Sequence, residues 1–279
     1  MMQRLVNGSP ADTLALADRA VQFGDGVFRT LKMVGGAVPF WLRQLDRLTH
    51  DAALLGIEAP AASDWLADIA ELHRQGVRDA ALKFIVTRGE SQRGYAVPDV
   101  VKPTRIAQAA PLPAYPDTLQ SDGVAVRWCD TKASWQPRLA GIKHLNRLEN
   151  VLARNEWRDA AIFEGLMCDR DGAVIEGVMS NVLLQEGKAL VTPKLESGGV
   201  AGVMRSVALE AAARLNWSVS EININPERLL RANRVWLCNS LIGMVPVREL
   251  AGRHWESHPA DQQLLEVIRT MEKEETACF

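Results

Sequence analysis

The sequence lacks the features that mark membrane, disulfide-bonded and metal-binding proteins. None of its apolar stretches approaches the roughly 20 residues needed to span a bilayer, and its first residues contain no apolar signal core. The four cysteines occur singly, without a Cys-x-x-Cys pair or a histidine at ligand spacing, so they predict neither a disulfide framework nor a metal site. We therefore expect a cytoplasmic protein without a bound metal.

An excess of charge of one sign is also absent. The formal net charge is -2, and acidic and basic residues are interspersed, so there is no basic stripe for nucleic acid and no polybasic patch for an anionic membrane. With 279 residues, 47% of them hydrophobic, the chain can bury a substantial core in one large domain or two smaller ones. These properties predict a small-molecule substrate, with neither nucleic acid nor membrane as a partner.

Apolar periodicity in the first part of the chain predicts both strands and helices. Two strands, at residues 26–34 and 37–41, are joined by a Gly-Gly turn and predict a hairpin. Helical spacing of apolar residues follows over residues 45–55, and a second helix is indicated around residues 63–75. This half of the chain is typical of an α/β fold.

A proline-rich stretch separates this half from the rest. Prolines recur through residues 103–116, and proline cannot continue a helix or a central strand. We therefore predict a smaller N-terminal α/β domain over residues 1–115 and a larger C-terminal domain over residues 121–279, the latter carrying Lys143. Helices are predicted in the second domain near residues 145–157, 203–215 and 261–274.

Two features could carry chemistry, although each also has a simpler interpretation. Gly198-Gly-Val-Ala-Gly-Val-Met-Arg-Ser206 leads directly into a predicted helix, where free N–H groups and the helix dipole suit a phosphate. Glycines before a helix more often only permit a turn. Lys143 follows Gly141 at the end of an element and could project into a cleft, but most lysines are solvated and charged.

The residues around Lys143 favour the chemical interpretation. The run Lys143-His-Leu-Asn-Arg-Leu-Glu149 resembles the lysine motif of the fold-type IV pyridoxal-phosphate enzymes. Further matches follow in that family's order: Gln22-Phe-Gly-Asp-Gly-Val-Phe28, Leu45-Asp-Arg-Leu48, Arg93-Gly-Tyr95, Ile175-Glu-Gly-Val-Met-Ser-Asn181, Gly202-Val-Met-Arg205 and Cys238-Asn-Ser-Leu241. The resemblance covers nearly the whole chain. It implies two α/β (α+β) domains with pyridoxal 5'-phosphate in the cleft between them, normally in a homodimer.

The resemblance also assigns roles to individual residues. Lys143 is expected to hold the cofactor as a Schiff base and then to act as general acid and base. Glu176 is expected to face the pyridine nitrogen, and Arg47 to pair with the phosphate through its planar guanidinium. Without the resemblance, both would be read as exposed or solvated residues. The remaining residues expected around the cofactor are Ser180, Asn181, Val203, Met204, Asn239 and Ser240.

One position departs from the family's pattern. Transaminases of this fold often have threonine where this chain has Met204, so a side-chain hydroxyl directed at the phosphate is missing. The lyase branch of the family tolerates methionine there. Ser206 or Ser240 could replace the lost hydroxyl.

The substrate is expected to carry two carboxylates. In Ser91-Gln-Arg-Gly-Tyr95, Arg93 is the candidate to hold one of them and Tyr95 the candidate to orient the ring, with Thr30 lining the pocket. The combination of Arg93-Gly-Tyr95 with Lys143-His-Leu-Asn-Arg147 favours the lyase branch of the family, and this resemblance implies conversion of 4-amino-4-deoxychorismate, which carries the two carboxylates, to 4-aminobenzoate and pyruvate. Two alternatives stay open: an aminotransferase of the same fold acting on D-amino or branched-chain amino acids, and a non-catalytic cofactor-binding protein.

Overall fold

The computed structural model describes residues 3–279, which fall into two structural units. The first unit extends to Pro113 and also takes Ile142–Asn146 and Glu272–Phe279, while the second comprises Ala114–Gly141 and Arg147–Met271. The segment with Lys143 therefore groups with the first unit, whereas the sequence had placed it in the C-terminal domain. No helix among residues 3–279 is long and apolar enough to cross a membrane.

The first unit is built on a five-stranded antiparallel sheet with the order β2-β1-β6-β5-β3. Its elements are β1 (Gln3–Val6), β2 (Ser9–Pro10), α1 (Arg19–Phe23), β3 (Gly26–Met33), β4 (Ala37–Val38), α2 (Trp41–Leu54), α3 (Ala62–Arg74), β5 (Ala80–Thr87), β6 (Thr104–Ala110) and β16 (Ala277–Cys278). The two-stranded pair of β4 and β16 lies outside the main sheet and fixes the end of the chain to this unit.

The two long helices of the first unit cover one face of its sheet. Apolar residues at helical spacing along α2 and α3 are buried, as the periodicity predicted, so both predicted helices are confirmed. Trp65 of α3 stacks on Phe84 of β5 with ring centroids 4.4 Å apart, and Trp41 meets the same ring edge-on at 6.0 Å. This aromatic cluster anchors the helices to the sheet.

The predicted hairpin is only partly present. Its first strand is confirmed as β3, but its second ends at Val38 rather than at residue 41. The next two residues explain the difference, because Pro39 has no N–H to donate and Phe40 adopts a left-handed conformation with a φ of 54°. Trp41 then begins α2 instead of extending the strand.

The segment Ile142–Asn146 extends the sheet beside β3. The N–H of Phe28 donates to the carbonyl of Lys143 at 2.9 Å, and the N–H of Leu145 donates to the carbonyl of Gly26 at 3.0 Å. Because this backbone is extended, the helix predicted over residues 145–157 forms only over Leu148–Arg154. The same pairing explains why Lys143 belongs to the first unit.

The second unit contains a nine-stranded mixed sheet. Eight strands run in the order β12-β11-β10-β13-β14-β7-β8-β9, and β15 pairs with β14 beside this path. The elements are α4 (Leu119–Asp122), β7 (Val124–Trp128), a short 3-10 helix (Pro137–Leu139), α5 (Leu148–Arg154), β8 (Ile162–Cys168), β9 (Val174–Gly177), β10 (Asn181–Glu186), β11 (Ala189–Pro193), α6 (Val203–Arg214), β12 (Ser218–Ile222), α7 (Pro226–Arg231), β13 (Arg234–Asn239), β14 (Gly243–Leu250), β15 (Arg253–His254) and α8 (Pro259–Glu274).

Helix α6 is held against this sheet by an apolar face and by one buried arginine. Val207, Ala208, Ala211 and Ala212 are fully buried, and their small side chains allow close packing on the strands. Arg205 donates to Glu221 at 2.6 Å and to the carbonyl of Pro193 at 3.0 Å, which joins α6 to β12 and β11. The orientation of the α6 N-terminus is therefore fixed.

The stacked aromatic pair of the first unit gives a stability prediction. Trp65→Ala removes a ring that is only 1% exposed, and we expect it to lower the free energy of unfolding by about 3–5 kcal/mol. Leu66→Ala on the same helix is the control, because Leu66 is 40% exposed and should cost less than about 1 kcal/mol. Urea unfolding followed by circular dichroism measures both. Equal losses in the two variants would contradict the assigned core.

Candidate active site

Lys143 lies beside an aromatic ring on the first unit. Its ammonium nitrogen is 4.7 Å from the centroid of the Phe28 ring, and a second lysine, Lys83, places its nitrogen 4.6 Å from the same centroid. Burial lowers the pKa of Lys83, because the charged form is less well solvated there. Two amines therefore converge on one face of the sheet.

Strand register explains this convergence. Thr30 of β3 lies directly opposite Lys83 of β5, and residues opposite each other point to the same side of a sheet. Phe28 is two residues before Thr30, so it shares that side. The side chains of Phe28, Thr30 and Lys83 are all half-buried, which makes this side a polar and aromatic surface rather than core.

A fully buried carboxylate organises the same region. Asp51 of α2 is 0% exposed, and its Oδ2 accepts the backbone N–H of Lys143 at 2.9 Å and a guanidinium N–H of Arg29. Its Oδ1 lies 3.0 Å from Nε of Arg47, one helical turn earlier. Buried carboxylates are stable only when they are paired and hydrogen-bonded. Asp51 therefore couples the backbone of Lys143 to the guanidinium of Arg47.

Two of the three predicted substrate residues, Arg93 and Tyr95, lie on an exposed loop of the first unit. Arg93 is exposed, and the side chain of Tyr95 is 86% exposed while its ring contacts Phe23 at 5.2 Å. Thr30, by contrast, lies on the same side of the sheet as Phe28 and Lys83.

In the second unit, Glu176 is held by the glycine-rich loop. Its Oε2 accepts the backbone N–H of Val200 at 2.8 Å, and the residue is 5% exposed on β9. Gly199 has a φ of 80°, and a Cβ there would lie 2.7 Å from the side chains of Ile175 and Leu195. Glycine is required at this position, so the loop follows Glu176 closely.

The start of α6 is closed by a second tight contact. The amide of Asn181 donates to the carbonyl of Val200 at 2.7 Å, and a Cβ on Gly202 would lie 2.2 Å from Oδ1 of Asn181. Gly202 is the N-cap, and it provides no side-chain hydrogen bond to the first turn. The N–H groups of the first turn of α6, including those of Val203 and Met204, therefore receive no side-chain cap from Gly202, which is the arrangement that suits an anion at a helix N-terminus.

Other predicted cofactor neighbours make bonds within the protein. The hydroxyl of Ser206 donates to the carbonyl of Val203 at 2.7 Å, and that of Ser180 donates to Glu164 at 2.8 Å. Asn239 donates to the carbonyl of Met179 at 3.0 Å and accepts the N–H groups of the two residues that follow Ser240. These side chains shape the backbone turns next to β10 and β13.

Glu164 is a buried carboxylate that supports the turn before Asn181. It is 0% exposed and accepts hydrogen bonds from the N–H groups of Gly165 and Met179, both at 3.0 Å, and from Ser180. Burial raises the pKa of Glu164 to about 7, since the desolvation penalty outweighs the hydrogen bonds.

Among the described residues, no group of three His, Cys, Asp or Glu is arranged to hold a metal.

Three residues of these clusters were missed from the sequence: Lys83, Asp51 and Glu164. Each could have been recognised from the sequence, because each is a charged residue within an otherwise apolar pattern. Lys83 interrupts the apolar strand β5, Asp51 falls three residues after Leu48 on the apolar face of α2, and Glu164 lies within the apolar strand β8. Buried charges of this kind are uncommon outside functional or structural networks.

Comparison with known proteins identifies a family. Residues 26–250, well over half of the chain, match the family model described as amino-transferase class IV. The crystal structure of 4-amino-4-deoxychorismate lyase from Pseudomonas aeruginosa superposes with a TM-score of 0.91 at 41% identity, over 96% of this chain and 98% of that one.

Two curated relatives mark the range of activities in this family. Aminodeoxychorismate lyase of Vibrio harveyi is 34% identical over 244 residues, which is 87% of this chain and 89% of that protein. D-alanine aminotransferase of Bacillus licheniformis is 28% identical over 251 residues, which is 85% of this chain and 83% of that protein. The lyases of Pseudomonas aeruginosa and Vibrio harveyi are thus more similar to this chain than this particular aminotransferase is.

The raised pKa of Glu164 gives a prediction about pH. An unfolded glutamate ionises near 4.5 but Glu164 in the folded chain ionises only near 7, so its contribution to stability is full below pH 4.5 and is lost as pH rises to 7. Glu164→Gln should flatten this part of the profile of unfolding free energy against pH. Each unit of pKa difference corresponds to about 1.4 kcal/mol.

Denaturant unfolding between pH 4.5 and pH 8.5 measures the slope of the unfolding free energy against pH. This slope, rather than the absolute stability, is the test. The amide of Gln loses the hydrogen bond from Gly165, so the variant is expected to be less stable at low pH. Glu196→Gln is the control because the Glu196 side chain is 75% exposed. An identical slope in the wild type and in Glu164→Gln would refute the assignment.

Proposed function

This chain belongs to the amino-transferase class IV family, and we propose that within it the chain is a pyridoxal-phosphate-dependent lyase that converts 4-amino-4-deoxychorismate to 4-aminobenzoate and pyruvate. The observation that carries the proposal is the high identity, over almost the full length of both chains, to a solved 4-amino-4-deoxychorismate lyase. The surroundings of Lys143 support it, because they combine a reactive amine with a second cation.

The residues of both units suit pyridoxal phosphate. In the first unit, Lys143 provides the amine that holds the cofactor, and Arg47 is the candidate cation for its phosphate. In the second unit, the N–H groups of Val203 and Met204 suit the phosphate, and the Glu176 carboxylate suits a protonated ring nitrogen. In the loop before α6, Gly199 and Gly202 pack so closely against their neighbours that a Cβ at either position would collide with them. When bound, the cofactor supplies an electron-withdrawing ring that acidifies the C–H bond beside the substrate's amine.

Lys143 then moves the proton. When it is not bonded to the cofactor, Nζ of Lys143 would accept the proton from the amine-bearing carbon of the substrate. The C–O bond to the enolpyruvyl group breaks, the ring becomes aromatic, and the ammonium of Lys143 would return the proton to the methylene carbon of the departing enolpyruvate, which thereby becomes pyruvate. No oxidant, reductant or second substrate is consumed. The fixed backbone of Lys143, held by Asp51, limits the positions that its Nζ can reach.

Two cations are candidates for the two carboxylates of the substrate. Lys83 is supported by its position over the same Phe28 ring as Lys143 and by its burial, since a buried ammonium is stabilised by pairing with an anion. Arg93 is supported by its exposed position on the loop that also carries Tyr95. Thr30, opposite Lys83, is the candidate hydroxyl on the same side of the sheet.

A product assay tests the proposed reaction. The purified protein with pyridoxal phosphate should release 4-aminobenzoate and pyruvate in equal amounts from aminodeoxychorismate, without any oxo-acid acceptor. Lys143→Ala should lower the rate by about 10²–10⁴-fold, since it removes the acid–base group. Lys188→Ala is the matched control, because Lys188 lies on an exposed turn of the second unit.

The same assay decides between the alternatives. Rapid amino exchange between D-alanine or a branched-chain amino acid and 2-oxoglutarate, with no 4-aminobenzoate formed, would replace the lyase proposal with an aminotransferase. Cofactor binding without turnover of either kind would leave a non-catalytic cofactor-binding protein.

We also propose that the protein acts as a homodimer. Helix α5 carries three exposed apolar side chains at helical spacing, with Leu148 69%, Val151 54% and Leu152 56% exposed. Contiguous exposed apolar surface is typical of association sites. The family resemblance implied a homodimer. We therefore assign the exposed apolar side chains of α5 to contact with a second copy of this chain.

Charged substitutions on α5 test this assignment. Leu148→Glu combined with Leu152→Glu should convert a dimeric sedimentation profile to a monomeric one, because charges at an apolar interface are costly to desolvate. Val219→Glu on β12 is the control, since Val219 is an apolar residue that is 39% exposed in the same unit. A dimer that survives both α5 charges, or a monomeric wild type, would contradict the proposal.

A cytoplasmic location is consistent with the cysteines. All four thiols are free, three of them buried, and free thiols are the usual state of proteins in reducing compartments. We propose this location on that basis.

A further inference from the structure

A buried arginine at the start of α1 holds the loop of residues 91–96. The Arg19 side chain is 4% exposed, and its guanidinium donates to the hydroxyl of Ser91 at 3.0 Å. It also donates to three consecutive backbone carbonyls, those of Gly94 at 3.2 Å, Tyr95 at 3.0 Å and Ala96 at 3.4 Å. One side chain therefore accounts for four contacts with a segment more than 70 residues away in the sequence.

Three of these four contacts are made to the loop backbone, and none of them involves the side chain of Arg93 or Tyr95. Gly94 has a φ of 111°, a conformation that other residues rarely adopt, so the chain turns sharply here. Arg93 and Tyr95, on either side of this glycine, are both exposed. The guanidinium provides five N–H donors in a rigid planar arrangement, which suits carbonyls that converge from one turn.

The Nε side of the Arg19 guanidinium is also held by hydrogen bonding. Its Nε donates to Asp25 at 2.8 Å, and Asp25 also accepts two hydrogen bonds from Arg88. Arg88 in turn donates to the carbonyls of Leu55 and Gly56 at the end of α2. Burial alone would raise the pKa of Asp25, but the two arginines hold it below its ordinary value, so the carboxylate stays charged.

Helix α1 also orients an aromatic ring of the loop. The Arg19 guanidinium lies 4.9 Å from the centroid of the Phe23 ring, and Phe23 contacts the Tyr95 ring at 5.2 Å. Backbone and ring of Tyr95 are thus both fixed from α1. This arrangement reduces the freedom that the loop would otherwise lose on binding a ligand.

We propose that Arg19 is a positioning residue for substrate recognition, which fixes the loop of residues 91–96 in the conformation that presents Arg93 to a carboxylate of the substrate. The proposal rests on the proposed function in assigning that carboxylate to Arg93. Arg19 acts through the loop and does not itself contact the substrate. Its removal should weaken substrate binding and spare the chemical step.

Three variants separate this role from a general structural one. Arg19→Met removes all the hydrogen bonds donated by the Arg19 side chain, and Arg19→Lys retains the charge but not the planar arrangement. Ser91→Ala removes one of the four contacts of Arg19 with the loop, together with the hydrogen bond from Ser91 to the carbonyl of Gln92. Arg74→Met is the control, because Arg74 is an arginine whose side chain is 74% exposed on α3. Each variant is compared with the wild type in two measurements.

The first measurement does not depend on activity. Trypsin cleaves after Arg93, and the rate at the Arg93–Gly94 bond, followed by mass spectrometry, reports how often the loop opens. We expect a rise of about tenfold or more in Arg19→Met, a smaller rise in Arg19→Lys and Ser91→Ala, and no change in Arg74→Met. An unchanged rate in Arg19→Met would overturn the proposal.

The second measurement is the steady-state kinetics of the loaded enzyme. We expect KM for aminodeoxychorismate to rise about tenfold in Arg19→Met while kcat stays within about twofold, which is the pattern for a lost binding interaction. A fall in kcat with unchanged KM would overturn the role in recognition. Ser91→Ala repeats this test if Arg19→Met does not fold. A wild type without lyase activity would refute the proposed function instead, and the trypsin measurement would still decide whether Arg19 fixes the loop.

Discussion

Asp51 is the group on which the geometry of the first unit's site depends. A carboxylate that is completely removed from water requires paired charges and hydrogen bonds, and Asp51 obtains them from Arg29, Arg47 and the N–H of Lys143. None of these three partners can move without leaving a buried charge poorly paired. The backbone of Lys143, the residue that we propose holds the cofactor, is therefore fixed by Asp51.

The second unit uses the same principle with different groups. Glu164 is fully buried and holds the turn at Met179 and Ser180, and Asn181 then ties that turn to the loop before α6. Buried polar networks of this kind fix the backbone strongly when every member is satisfied. The helix N-terminus reaches its position because each neighbouring turn is held by a side chain.

The sequence could predict what depends on local pattern. Helices α2, α3 and α6 follow apolar periodicity, and the family inferred from ordered motifs around Lys143 is confirmed by the family match. Pairing between segments that are distant in the sequence could not be predicted from local pattern. Residues 142–146 are extended because they pair with β3, which is more than 100 residues earlier, and no pattern within the segment distinguishes this from the start of a helix.

Reduction of the loaded protein with borohydride tests the central claim most directly. A covalent bond between Lys143 and pyridoxal phosphate becomes irreversible on reduction, and mass spectrometry of the digested protein then locates the added group. We predict the added mass on Lys143, with loss of the visible absorption band, and neither the band nor the added mass in Lys143→Ala. The added mass on Lys83 or another lysine, or no band at all in the wild type, would contradict the account.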